Sequence, residues 1–366
     1  MSKDLHARPF DETTIAKLEI FEDYAQAWLP TFVMWGDPVI CIFDFFAGTG
    51  YDVNGVPGSP IRILKKIREQ IAPIFQNKIQ VHVYFNEFDK KKFKQLSVAC
   101  DDFLRDHPEV GRAIKLNLSQ EDFDLCFSRL FPVIQAHSSL VYLDQNGIKF
   151  LADRYFLELE KTRRTDFLYF VSSSYFWRFG EKEEFKTHVK IDLEEAKRNP
   201  YRFIHRTLIA QLRGNLPPNS NLKLYPFSLK KAANVHGIIF GASHIRAVEK
   251  FIGIAWKRNE VNGEANFDID DDNQKIQLDL FEGKKLTKIE IFQKRLHEQV
   301  LNGKITSNSH AFDFAMNEGH LGSHAAEELR RMKKDCLIDY DGLSPLVTYE
   351  NVHKLGKFIT YKVLKQ

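Results

Sequence analysis

The chain of 366 residues carries 52 lysines and arginines against 49 aspartates and glutamates, a net charge of +3, too close to balance for composition alone to imply a polyanionic partner. Apolar residues make up 43% and aromatics 13%, enough for about two domain cores and too many for a disordered chain, while no run of about 18 uncharged apolar residues or apolar leader suggests membrane spanning or secretion. The scattered Cys41, Cys100, Cys126 and Cys336 form no CxxC pair, which argues against a zinc knuckle or an iron–sulfur site and for reduced, mostly buried thiols, as in cytoplasm, and no metal is expected.

Residues 13–29 place Ile15, Leu18, Phe21, Ala25 and Trp28 at spacings of three and four, the pattern of an amphipathic helix. Lys17 on this helix is either a solvated cation or one that reaches a bound carboxylate. The apolar run 39–43 leads without a break into Asp44, as in a strand buried on both faces of a parallel sheet. Ala47, Gly48 and Gly50 follow at once and leave the chain without bulk, so backbone N–H groups can approach a ligand closely. Such a turn after the first strand of an α/β sheet commonly admits a nucleoside; a tight structural turn is the plainer alternative. The stretch NGVPGSP at 54–60 mixes glycine with proline, so Gly58, Ser59 and Pro60 either grip a second substrate or make a surface turn before a helix over 61–71.

Residues 79–88, rich in β-branched and aromatic side chains, predict a second strand ending at Glu87. A carboxylate there accepts hydrogen bonds from both ribose hydroxyls of a nucleoside, although Asp89 competes for the role and a solvated strand-end charge explains either. A third strand over 113–117 ends at Asn117, which either faces a base or ribose or forms the turn. At the end of a fourth strand over 139–144, Asp144, Gln145 and Asn146 are the candidate catalytic residues, offering acceptors and donors to a planar amine or amide. An Asn-Gly turn accounts for Asn146 and Gly147 without catalysis. Strands over 166–172, 222–227 and 235–242 complete the sheet, with a charged helical insertion at about 181–215 and a closing helix at 245–256.

The α/β domain therefore spans 1–258, and the polar, acidic 259–285 reads as a linker or ordered excursion. Helices are expected at 286–300, 307–316 and 323–334, followed by a two-stranded wing, which makes 286–366 a winged helix-turn-helix domain. Arg330, Arg331 and Lys334 on its third helix are candidate nucleic-acid contacts. Glu327 and Glu328 share that helix and oppose phosphate, so a protein-binding or dimer surface is the alternative.

The order of these motifs resembles that of class I S-adenosylmethionine-dependent methyltransferases. More narrowly, KLEIFEDYAQAW, DFFAGTG followed by GVPGSP, LVYLDQNG and FGASHIRAVEKFIGIAW resemble the bacterial three-Cys-motif partner family, TcmP. The resemblance implies a seven-stranded Rossmann-like sheet with helices on both faces and an antiparallel last strand, closed by a winged helix. It implies S-adenosylmethionine as cofactor, with Asp44, Gly48 and Gly50 around its methionine part and Glu87 on its ribose; Lys17, Ala47 and Asn117 complete the candidate cofactor set. A partner with a three-cysteine, radical-S-adenosylmethionine-like motif and a setting in defence against phage are also implied.

One departure stands out. Amino-group methyltransferases carry an Asp/Asn-Pro-Pro-aromatic tetrad after the fourth strand, whereas this chain reads Asp144-Gln145-Asn146-Gly147. Two functions are therefore expected to compete. One is methyl transfer, or a related modification, on DNA, RNA or a nucleotide. The other is a cofactor- or nucleotide-binding sensor subunit that recruits a partner through the winged helix.

Overall fold

The computed structural model describes residues 9–144, 153–162, 164–172, 204–231, 234–276 and 285–364. The chain divides into two compact units, Met1–Ala247 and Val248–Gln366. Gln145 and Asn146, and most of the expected insertion at 181–215, lie outside the described residues.

The first unit opens with α1, Glu12–Trp35, whose start is fixed by Asp11 accepting the Thr14 N–H at 2.9 Å. The helix outruns the expected 13–29 because it accommodates Pro30 internally and stops only at Gly36, which takes φ 85 and donates its N–H to Phe32 O. Next come β1 (Val39–Asp44), α2 (Ser59–Glu69), α3 (Ile71–Gln76), β2 (Gln80–Asn86), α4 (Lys90–Asp106), α5 (Pro108–Ala113) and β3 (Ile114–Ser119). Then follow α6 (Phe123–Ala136), β4 (Ser138–Leu143), α7 (Asp153–Glu160), β5 (Thr165–Ser172), α8 (Ile204–Asn215), β6 (Lys223–Lys231) and β7 (Asn234–Ala242). The helix α9, Ile245–Arg258, runs across the division between the units.

Seven strands form one sheet in the order β3-β2-β1-β4-β5-β7-β6. The first five are parallel, and β7 runs antiparallel to both β5 and β6. The unit is thus mixed α/β and Rossmann-like, with the seventh strand reversed as expected. Strand alternation sends Cys41, Phe43, Val141, Leu143, Phe167 and Tyr169 to one face, where α6, α7 and α8 cover them. The opposite face receives Ile40, Ile42, Leu140 and Tyr142, all buried. There Phe21 of α1 stacks on Tyr142 with ring centroids 3.8 Å apart, and Tyr24 meets Phe240 edge-on at 4.8 Å. Burial on both faces is why β1 and β4 read as unbroken apolar runs. It also sends Asp44, two residues after Ile42, to the face covered by α1.

Asn86 ends β2 and is buried. Its Nδ2 donates to the carbonyls of Phe45 (3.3 Å) and Glu121 (3.0 Å), while Oδ1 accepts from Ser119 Oγ (2.9 Å) and Glu121 N–H (3.0 Å). One side chain thereby ties together the loops that leave β1, β2 and β3. Asn86→Ala is expected to destabilise the fold by about 2–4 kcal/mol, because it strands buried donors and acceptors. A urea midpoint equal to that of the wild type would contradict this.

In the second unit, Asn259 Nδ2 donates to Ala265 O at 2.8 Å and Asn262 Nδ2 to Phe267 O at 3.0 Å, and Ala265 and Ile269 are buried. A short helix α10, Asp272–Ile276, follows. Three longer helices come next, α11 (Lys288–Leu301), α12 (Asn308–Glu318) and α13 (Gly322–Lys334). The helix α11 begins with a capping box, Thr287 and Glu290 satisfying each other's backbone N–H groups. The unit closes with a two-stranded antiparallel pair, β8 (Ile338–Asp339) and β9 (Lys362–Val363). No described helix is long and apolar enough to cross a membrane.

Candidate functional site

The crossover between β1 and β4 reverses the direction of strand succession. In an open α/β sheet the loops diverge there and leave a crevice beyond the strand ends. A crevice of about 650 Å³, its open mouth included, occupies this position. Its walls come from α1 (Thr14, Lys17, Leu18), the turn after β1 (Phe46, Ala47, Thr49, Gly50), the start of α2 (Gly58, Ser59), Asp144 beyond β4, and Pro9, Phe10 and Asp11 ahead of α1.

The turn is shaped by glycine at two positions. Gly48 takes φ 68 and Gly50 φ 86, both in the left-handed region. A Cβ on Gly50 would stand 2.7 Å from Ala99 Cβ on α4, so that position closes against the helix as well as turning. Ala47 N–H is held by Asn86 O at 2.9 Å, and Gly58 N–H donates to Gly50 O at 2.8 Å. The opening of α2 is thereby pinned to the glycine turn.

Charge gathers at the base of the crevice. Lys17 is buried, forms an ion pair with Asp144 Oδ2, and lies over the ring of Phe170 at 4.4 Å. Asp44 is only 1% exposed; its Oδ1 accepts the Phe46 N–H at 3.0 Å, while Oδ2 makes no hydrogen bond. Burial, opposed by the Ser59 hydroxyl and the Phe46 N–H and reinforced by the charges of Asp144 and Glu87, raises the Asp44 carboxyl to about 7. Asp144 Oδ1 and Tyr142 Oη are likewise buried without a hydrogen-bond partner. Burial, with Asp144 and Asp44 nearby, holds the Tyr142 phenol well above its ordinary value, so its hydroxyl keeps its proton. Among the described residues, three buried oxygens thus lack hydrogen-bond partners around the Lys17–Asp144 pair, a costly arrangement unless a ligand completes it.

Glu87 stands just beyond β2. Its Oε2 accepts the Gly48 N–H at 3.0 Å and its Oε1 the Asp89 N–H at 2.9 Å. Each oxygen therefore retains acceptor capacity for a further donor. Asp89 is spent on capping α4 through the N–H groups of Lys91 and Lys92.

The structure thus gathers Lys17, Asp44, Ala47, Gly48, Gly50, Glu87, Gly58, Ser59 and Asp144 at one end of the sheet. Asn117 stands apart. Strand β3 continues two residues past it to Ser119, and its Nδ2 donates to Val83 O and Lys115 O, so it does not face the crevice. Pro60 sits in the first turn of α2 and is not among the wall residues. Tyr142, Phe10 and Asp52, which the sequence patterns do not single out, are additions from the structure.

In the second unit, Arg330, Arg331 and Lys334 are exposed on α13. Of the two glutamates expected to oppose phosphate from the same helix, Glu327 is exposed, whereas Glu328 is turned inward at 1% exposed and holds Arg331 and, at 2.8 Å, His297 Nδ1. Lys333 is occupied by the carbonyls of Tyr340 and Gly342 and by Asp339. His324 packs edge-on against Trp256 at 4.4 Å, and burial drives it down to about 4. It is neutral at pH 7 and partly withdrawn from solvent. Among the described residues, no group of three or more His, Cys, Asp or Glu is arranged to hold a metal ion.

No family model matches the chain, and no curated protein matches it. Among solved structures, the O-methyltransferase TomG from Streptomyces achromogenes, involved in tomaymycin synthesis and solved in complex with S-adenosylmethionine, is similar at 9% identity with a TM-score of 0.32, covering 64% of this chain and 90% of its own. A Listeria monocytogenes protein described as a class I S-adenosylmethionine-dependent methyltransferase is similar at 11% identity with a TM-score of 0.31, covering 67% of this chain and 63% of its own.

Proposed function

We propose that the crevice binds S-adenosylmethionine and that the protein is a methyltransferase-like enzyme of the class its motif order resembles. The observation that carries this reading is the gathering, at the β1/β4 crossover, of the Lys17–Asp144 pair with three buried oxygens that lack partners among the described residues: Asp44 Oδ2, Asp144 Oδ1 and Tyr142 Oη. An amino-acid end brings a carboxylate for the lysine and an ammonium with three donors for the oxygens. Glu87, with acceptor capacity left beside the glycine turn, suits a ribose. When bound, S-adenosylmethionine supplies a methyl group on a positively charged sulfur. The part of the chain is to fix the amino-acid end, exclude water and orient the acceptor, where proximity and desolvation supply most of the acceleration.

For the acceptor we propose nucleic acid or a nucleotide, with residues 286–366 as a winged helix-turn-helix whose Arg330, Arg331 and Lys334 meet phosphate, and with a three-Cys-motif protein as partner in phage defence. This rests on the resemblance, and on Arg330, Arg331 and Lys334 being exposed on one helix, although Arg331 pairs with the inward Glu328 and Glu327 is exposed beside them. A second reading, a cofactor-binding subunit without turnover, is favoured by the Lys17–Asp144 ion pair, which holds the residue assigned to the acceptor within the crevice.

Calorimetry with S-adenosylmethionine and with 5′-methylthioadenosine, which lacks the amino-acid end, tests the first reading. S-adenosylmethionine is expected to bind about 100-fold more tightly, the worth of one or two charge-assisted hydrogen bonds. Equal affinities, or no heat from either, would overturn it. Radiolabelled methyl transfer to DNA, RNA and the partner then separates the two readings, because binding without transfer supports the second. Duplex binding that weakens steeply with salt is the expected signature of the phosphate contacts.

A further inference from the structure

We infer that Asp52 is a positioning residue which holds a strap, residues 9–11, down as the roof of the crevice, and that ligand passes in and out by release of this strap. The inference rests on the cofactor reading above and concerns how the same site is closed.

Two pieces of chain distant in sequence meet at one carboxylate. Asp52 is 7% exposed. Its Oδ1 accepts the N–H groups of Asn54 and Val56, each at 2.8 Å, which knots the loop that follows the glycine turn. The backbone completes the knot, with Asp52 N–H on Val56 O at 3.0 Å and Gly55 N–H on Asp52 O at 3.1 Å. Its Oδ2 accepts the Phe10 N–H at 2.8 Å. The same side chain that shapes the loop thereby fastens the strap, and both are walls of the crevice through Phe10, Gly50 and Gly58.

The Phe10 ring rests on the loop side. A Cβ on Gly58 would lie only 3.2 Å from Gly50 O, so the absence of a side chain there lets the glycine turn approach, and the Phe10 ring, with Cζ 3.8 Å from the same point, lies in ordinary contact with this position. On its other side the strap ends at Asp11, which caps α1. Among the described contacts, the strap is thus held both at Asp11 and at the Asp52 latch. Of these, the latch is a charge-assisted hydrogen bond that one local movement breaks, whereas the cap belongs to a long, packed helix.

Stopped-flow binding of S-adenosylhomocysteine to the full chain tests the latch. Removing the acceptor in Asp52→Ala is expected to raise both the association and the dissociation rate about tenfold, the kinetic worth of one hydrogen bond to a charged group. Asp52→Asn, which keeps one acceptor oxygen, is expected to fall between the wild type and Asp52→Ala. Phe10→Ala keeps the loop hydrogen bonds and the backbone N–H of the latch and removes only the ring from the roof; it is expected to speed association as well, by less than Asp52→Ala, and so separates an opened roof from misfolding in Asp52→Ala. Faster dissociation with unchanged association in Phe10→Ala overturns the proposal, since it marks the ring as a fixed contact instead of part of a moving roof. A wild type that takes up no S-adenosylhomocysteine is a failure of the cofactor reading itself, recognisable because it precedes any variant, and the latch falls with it.

Discussion

Asp44→Asn is expected to abolish S-adenosylmethionine binding and at the same time to stabilise the ligand-free protein above neutral pH. The two effects share a cause. The Asp44 carboxyl is buried beside Asp144 and Glu87, and in the folded chain it keeps its proton up to about 7 against an ordinary value of 3.8. Between those values the folded state binds more protons than the unfolded one, so stability falls as pH rises through the window. The wild type thus enjoys the favourable neutral form at low pH and loses it by pH 8, where a charge is buried. Asparagine has no charge to bury and still accepts the Phe46 N–H through its side-chain carbonyl. The variant is expected to match the wild type near pH 4 and to exceed it by about 2–4 kcal/mol at pH 8, a ceiling set by 1.36 kcal/mol for each pH unit of the window. Urea titrations at the two pH values provide the measurement, and a constant difference across pH would refute the assignment.

The ligand reverses the preference. An ammonium placed against Asp44 favours its ionised form, so binding should release a proton below about pH 7 and tighten as pH rises from about 5.5 to 8. Calorimetry of the wild type in two buffers of different ionisation enthalpy reads that proton directly. In the asparagine variant both the affinity and the pH step should be gone. Retained affinity with the pH step unchanged would mean that another group governs the site.

The second large effect is expected at Gly50. Alanine there meets two penalties: a left-handed φ of 86, and a Cβ 2.7 Å from Ala99 Cβ on α4. The conformational part costs about 1–2 kcal/mol and the forced separation of turn from helix about 1–3 more. Gly55 provides the internal control, because it takes φ 76 with nothing within 4 Å of an added Cβ. Gly55→Ala is expected to cost only the first part, and its ligand affinity should stay near that of the wild type. Gly50→Ala is expected to lose about 2–5 kcal/mol of stability and to weaken S-adenosylmethionine binding, since the displaced turn carries the Gly48 N–H that orients Glu87. Equal destabilisation at the two positions would show that close approach to α4 contributes nothing.

Much of the sheet end was legible in the chain itself. The apolar run into Asp44, the glycines that follow and the acidic end of the second strand are local patterns, each created by the burial or backbone geometry of its own segment. They fixed the position of β1, the turn and Glu87 without reference to any distant residue. Asn117 shows the limit of such reading. The strand was expected to stop at it, but β3 runs on to Ser119, and two further residues are enough to move a side chain from a strand end to the middle of a ladder. On α13, the sequence put Glu328 on the same helix as the arginines without deciding which way it faces, whereas packing against α11 sets the rotation of the helix and turns that carboxylate inward to His297.

Sequence by itself determined the alternating strands and helices, the glycine turn and the acidic residues at the strand ends, because periodicity and backbone freedom are properties of consecutive residues. Only the tertiary structure decided that Lys17 pairs with Asp144 across 127 positions, that Tyr142 offers its hydroxyl beside Asp44, and that Phe10 is fastened to Asp52 across 42. Those meetings depend on which strand lies beside which and on how the covering helix is rotated. Both are settled by burying the whole apolar surface at once, which no single segment encodes.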